Sequence, residues 1–84
     1  MKKEDISEES AARLRSLDAR IAADGSDEDA LIERGRLYWA LGLRGEAIGD
    51  YLAAQRLNPS GKATQLLKAT YAILDYYNKD LYNP

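Results

Sequence analysis

Between Leu31 and Pro59, small residues and tyrosines recur at helical spacing, and this pattern limits the fold more tightly than any other feature of the chain. Leu31, Gly35, Tyr38 and Gly42 fall at intervals of three and four, the spacing of one helix face, with Ile32, Arg36, Trp39 and Leu43 beside them. Two apolar stripes on one helix, about residues 27–42, require neighbours on more than one side. A second amphipathic run from Glu46 to Leu57 places Ala47, Tyr51 and Ala54 on one line and stops at Asn58 and Pro59, because proline cannot continue a helix and disfavours it in the residue before. Gly35 lacks a side chain midway along the first run, and Ala47 and Ala54 are small on the second, so the two backbones can approach closely. Tyr38 and Tyr51 fill the space beside those contacts. Small against large at these intervals describes a tight helical hairpin over residues 27–59, with Gly45 breaking the pattern between its two helices.

The flanks are helical too. Leu14, Leu17 and Ile21, extended backwards through Ser10 and Ile6, form one face of a helix over 7–24, which Asp5 or Ser7 can cap and Gly25 can end. After Pro59, Ser60 can cap a last helix over 61–78, whose Leu66, Leu67, Tyr71, Ile73, Leu74 and Tyr77 cover a broad apolar face. The closing NKDLYNP is expected to be irregular. Four helices joined by short loops predict an all-α antiparallel array in a single domain of 84 residues. A chain of this length buries only about 60 to 65% of its unfolded surface, so the core is modest.

The segment from about Glu28 to Gly61 resembles a tetratricopeptide repeat, a helix-turn-helix unit of about 34 residues. Leu31 stands at the family's first large apolar place, Gly35 at its small residue and Tyr38 at its aromatic. Ala47, Tyr51 and Ala54 match the second helix, Pro59 the closing proline, and Gly45 the turn. Arg34 departs from the leucine usual before Gly35, which implies more open or more polar packing towards the preceding helix. The first helix resembles the second half of a preceding, degenerate repeat and the last helix a terminal capping helix. The whole chain is similar to short, single-repeat tetratricopeptide proteins of bacteria.

Composition removes most chemistry. The chain has neither cysteine nor histidine, so disulfides, thiolate ligands and the commonest general base are absent. Asp24, Asp27, Glu28 and Asp29 crowd together, but a calcium loop counted from Asp24 needs glycine sixth and glutamate twelfth, where Asp29 and Gly35 stand. A helix start explains these acids better: Ser26 or Asp27 caps, and the carboxylates meet the positive end of the helix dipole. Gly61 and Lys62 invite a phosphate-loop reading, which fails on Ala63 after the lysine and Arg56 five residues before the glycine. Gly35, Gly42, Gly45 and Gly49 make no dinucleotide fingerprint. With no paired carboxylates on an apolar face, no enzyme and no cofactor are expected.

Net charge is −2, divided as −4 over residues 1–29 and +2 over 30–84. The basic part includes Arg34, Arg36, Arg44, Arg56, Lys62 and Lys68, but Tyr38 and Tyr51 are committed to the hairpin, and nucleic-acid binding is not expected. No apolar run spans a bilayer and no apolar segment follows Lys2 and Lys3, so a cytoplasmic location without membrane attachment is expected.

The resemblance implies protein binding through the inner face of the first hairpin helix, here Asp29, Ile32, Arg36, Trp39 and Ala40. Ile32 and Trp39 leave an apolar strip there unless the last helix covers it. The chaperone-tail clamp of some family members needs lysine and asparagine at places where Ile32 and Arg36 stand, so it is not expected. A second expectation is a homodimer through the last helix, where Leu67, Tyr71 and Leu74 form one stripe and Leu66, Ile73 and Tyr77 another. One stripe would pack on the hairpin and the other on a second copy.

Overall fold

A computed structural model of the chain describes residues 6–82, and side chains as far as Tyr77. It contains four helices, α1 (Glu8–Ala23), α2 (Glu28–Ala40), α3 (Arg44–Leu57) and α4 (Lys62–Tyr82), and no strand among the described residues. Each helix packs on its neighbour in the chain: α1 on α2, α2 on α3 and α3 on α4. The molecule measures 45 × 34 × 14 Å.

Local chemistry sets the helix ends. Ser7 caps α1 by accepting the Ser10 N–H at 3.2 Å; the alternative cap, Asp5, lies outside the described residues. Asp24 ends α1, its own N–H donating to the Arg20 carbonyl, and its carboxylate accepts the Ser26 N–H at 2.9 Å. Asp27 then caps α2 through the Ala30 N–H at 3.0 Å. That hydrogen bond and the Arg20 guanidinium hold the Asp27 carboxyl below its ordinary range.

Between the hairpin helices the turn falls earlier than the sequence suggests. Gly42 takes the left-handed conformation, with φ 80°. The Leu43 N–H donates to the Tyr38 carbonyl at 2.9 Å and the Gly42 N–H to the Trp39 carbonyl at 3.0 Å, satisfying the last carbonyls of α2. Gly45, expected to break the pattern, lies instead in the first turn of α3, and a Cβ added there would meet nothing within 4 Å. The expected end of α4 is also corrected: its backbone stays helical through Asn78–Tyr82, the part of the expected irregular tail that is described, and Asn83 and Pro84 lie outside the described residues.

The core has two adjoining parts. Leu31, Ile32, Ala54 and Ala63 form one, flanked by Ile21, Ala53 and Leu66. Ala47, Tyr51 and Leu67 form the other, flanked by Tyr38, Trp39, Ile48, Leu52 and Leu66. At the crossing of α2 and α3, a Cβ added to Gly35 would lie 2.6 Å from Tyr51 Cε1 and 3.3 Å from the Ala47 carbonyl oxygen. The tyrosine ring therefore occupies the place of the missing side chain. Burial pushes the Tyr51 phenol up, with the Arg36 charge acting against that rise.

Candidate protein-binding face

Around Arg36 on α2 lie two shallow clefts. Arg13, Glu33, Arg36, Leu37 and Ala40 line the first, of about 320 Å³, between α1 and α2. Arg20, Asp29, Ile32, Glu33, Arg36 and Lys62 line the second, of about 350 Å³, which reaches the start of α4. Glu33 and Arg36 belong to both, so the clefts adjoin along α2. From Asp29 to Ala40 the helix rises roughly 16 Å, the length of about five extended residues.

The five residues expected on the inner face separate here. Asp29, Arg36 and Ala40 are exposed and line the clefts. Ile32 lines the second cleft but is only 6% exposed, packed in the core with Leu31, Ala54 and Ala63. Of the two alternatives for this strip, open or covered by the last helix, Ile32 is covered: it packs in one cluster with Ala63 and Leu66 at the start of α4 and with Ile21 of α1. Trp39 lines neither cleft. It is half-buried against the Ala47, Tyr51 and Leu67 cluster, and the Arg44 guanidinium sits 5.1 Å from its ring centroid. The indole therefore packs within the hairpin and is held under a cation from the first turn of α3.

The stripes of α4 also divide differently from expectation. Leu67 is buried against Ala47 and Tyr51, and Leu66 joins both core clusters, so neither is available to a second copy. The packed line is Ala63, Leu67 and Thr70, continued by the half-buried Leu74. Tyr71 is exposed, as are Ile73, Tyr76 and Tyr77, the last two at 71% and 70%. The Tyr76 and Tyr77 rings meet edge to face, 5.3 Å between centroids.

Electrostatics set the character of the α2 face. Arg20 is committed to Asp27 at 3.2 Å and lies 4.0 Å from Glu33. Arg13, Arg36 and Lys62 have no carboxylate partner among the described residues. Three uncommitted cations thus face Asp29 and Glu33, the latter 4.0 Å from an Arg20 already held by Asp27, on a chain whose net charge is −2. Arg13 and Arg20 are seven residues apart beside the Leu14, Leu17 and Ile21 line, so a basic edge on α1 is readable from the sequence. That this edge meets Arg36 depends on how α1 crosses α2, which periodicity does not encode. Lys62 enters the same cleft for an equally nonlocal reason.

Arg34, the departure from the family pattern, is a clamp between helices. Its Nε and Nη2 donate to the Asp50 carboxylate at 2.8 and 2.7 Å, and its Nη1 donates to Asp18 at 2.8 Å. The guanidinium also lies 5.7 Å from the Tyr38 ring centroid. Hydrogen bonding to Asp50 holds Arg34 well above its ordinary pKa, so it is charged at every accessible pH. Asp50 is 6% exposed and is the buried acid that this clamp neutralises.

The crowded acids before α2 have separate tasks. Asp24 shapes the turn, Asp27 caps, Glu28 accepts the Asn58 side-chain amide and Asp29 faces the cleft. Among the described residues, no three potential ligands converge on a point that would hold a metal ion, and no helix is long and apolar enough to cross a membrane. The chain matches no family model, no curated protein and no solved structure.

Proposed function

We propose that this chain is a noncatalytic protein-interaction module, a tetratricopeptide-like hairpin between two flanking helices, that holds a peptide segment of a partner along the exposed side of α2. The observation that carries this reading is the adjoining pair of clefts that share Glu33 and Arg36, lined by uncommitted charge and a few apolar side chains. A cytoplasmic location and the absence of membrane or nucleic-acid partners belong to the same proposal.

The test is site-specific crosslinking in cells, with a photoreactive residue at Ala40 in the first cleft or at Gly49, an exposed position in neither cleft. Adducts to another protein from position 40, absent at position 49, are the expected result. Equal labelling at both positions, or none at position 40, removes the clefts as a docking surface.

A second reading, self-association, draws on a different observation: Tyr71, Ile73, Tyr76 and Tyr77 are all exposed near the end of α4. Tyrosine is enriched in interfaces because its ring buries area while its hydroxyl stays hydrated. Both readings can hold at once, since these residues line neither cleft.

A further inference from the structure

We infer that the occupant of the α2 clefts is an extended acidic peptide segment, its glutamate or aspartate side chains meeting Arg13, Arg36 and Lys62 while small apolar residues cover Leu37 and Ala40. This rests on the protein-interaction reading and gives the chemical class of its ligand. The argument is charge complementarity. Three helices each contribute an uncommitted cation to the two adjoining clefts: α1 gives Arg13 to the first, α4 gives Lys62 to the second, and α2 gives Arg36 to both. Arg20, also in the lining, is engaged by Asp27 and lies 4.0 Å from Glu33, so the four cations Arg13, Arg20, Arg36 and Lys62 exceed the three acids Asp27, Asp29 and Glu33 by one. The local excess is positive on a chain that is negative as a whole, so the field favours an acidic ligand here.

Length and lining favour a peptide over a nucleic acid. About five extended residues fit along α2 between Asp29 and Ala40. Single-stranded nucleic acid needs aromatic faces on which bases stack, and neither cleft contains an aromatic side chain. Trp39, the nearest large ring on α2, packs in the hairpin under Arg44. Asp29 and Glu33 would in addition oppose a phosphate backbone running the length of the groove.

Fluorescence anisotropy with a labelled peptide of glutamates alternating with glycine and leucine tests this, beside the same peptide with glutamine for glutamate and an oligothymidylate. The acidic peptide is expected to bind, the glutamine version to bind at least about tenfold more weakly, and affinity to fall as added salt shortens the screening length from about 30 Å to about 8 Å. Arg36→Glu is expected to weaken binding about tenfold or more, the signature of a hot-spot arginine, with the helical circular-dichroism signal unchanged. The double variant Arg13→Glu/Lys62→Glu does the same without touching α2. Arg56→Glu, exposed and outside both clefts, controls for net charge and should leave affinity within about twofold. No binding of the acidic peptide at low salt, equal affinity for the glutamine version, equal loss with Arg56→Glu, or tighter binding of oligothymidylate would overturn the inference. Crosslinking from Ala40 to a partner while the acidic peptide fails would overturn the acidic class alone, and absence of both would overturn the docking surface with it.

Discussion

Arg34 and Gly35 are adjacent, and they show how differently two residues can announce their roles. Gly35 is legible because steric absence follows helical periodicity: a missing Cβ midway along α2 and a large ring at Tyr51 on α3 make a complementary pair, and the ring does lie where the Cβ would be. Arg34 is visible in the sequence only as a departure from a leucine. Its partners, Asp18 and Asp50, are each 16 residues away, one on either side, and nothing local selects them. Removing Arg34 leaves Asp50 nearly buried without its bidentate donor. Arg34→Leu is therefore expected to destabilise the fold by about 3 kcal/mol, the lower part of the range for breaking a buried ion pair. The Asp18 contact adds little, since Asp18 is exposed. In Arg34→Leu/Asp50→Leu, both charges are replaced by apolar groups and most of the stability should return. Urea denaturation of the parent, both single variants and the double variant closes the cycle; additive losses would show that Arg34 and Asp50 act independently.

At the scale of the element, apolar periodicity located all four helices, whereas chemistry at their ends decided the boundaries. Six glycines compete for the role of turn residue in this chain, and sequence spacing selected Gly45 as the break within the hairpin. The backbone uses Gly42, because two further hydrogen bonds, from Leu43 and Gly42 to the carbonyls of Tyr38 and Trp39, close α2 only if residue 42 is left-handed. Such a pair of bonds depends on the path of the chain after the helix, which no periodic signal contains. The end of α4 was missed for a related reason. Asn78 and Lys79 are weak evidence for a stop without a glycine or proline beside them, and the backbone stays helical as far as Tyr82. The two hairpin glycines should respond oppositely to alanine. Gly42→Ala forces a Cβ into the left-handed region and is expected to cost about 1 to 2 kcal/mol. Gly45→Ala adds a methyl group in open space within a helix and should be neutral or stabilising by up to about 1 kcal/mol. Thermal unfolding distinguishes them, since each kcal/mol moves the midpoint by about 4 to 8 °C in a domain this small; a loss with Gly45→Ala would place the turn after all where periodicity puts it.

On the scale of the whole molecule, the unequal lengths of the helices govern where apolar surface is left bare. α2 packs on both α1 and α3, whereas α4 packs mainly on α3. α4 has further open surface because it is longer than its partner: 21 residues against the 14 of α3, a difference of roughly 10 Å at the helical rise. Ala63 and Leu67 pack on α3, Thr70 is buried, Leu74 is half-buried, and Tyr77, three residues on, is 70% exposed. The same face thus passes from buried to bare along its length. Together with Tyr71, Ile73 and Tyr76 it presents roughly 400 Å² of side-chain surface, about half of the roughly 800 Å² per partner of a standard stable interface. A two-fold pairing of two α4 helices through the Ile73 and Tyr77 side would cover part of this surface on both copies, and so small an interface points to weak association, of the order of micromolar or above. Sedimentation equilibrium should therefore give a mass that rises from 9.4 kDa towards twice that value as concentration increases from about 10 to about 500 μM, a span bracketing such a Kd. Tyr77→Glu, which puts a charge on the bare end of the packed face, should hold the mass at the monomer value with the helical signal intact. Tyr71→Glu, about 120° round the helix from Tyr77, should leave association in place if the interface continues the packed face, and should abolish it if the interface lies to one side. A mass fixed at 9.4 kDa across the whole range would leave the bare end of α4 without a second copy to cover it and end the case for self-association.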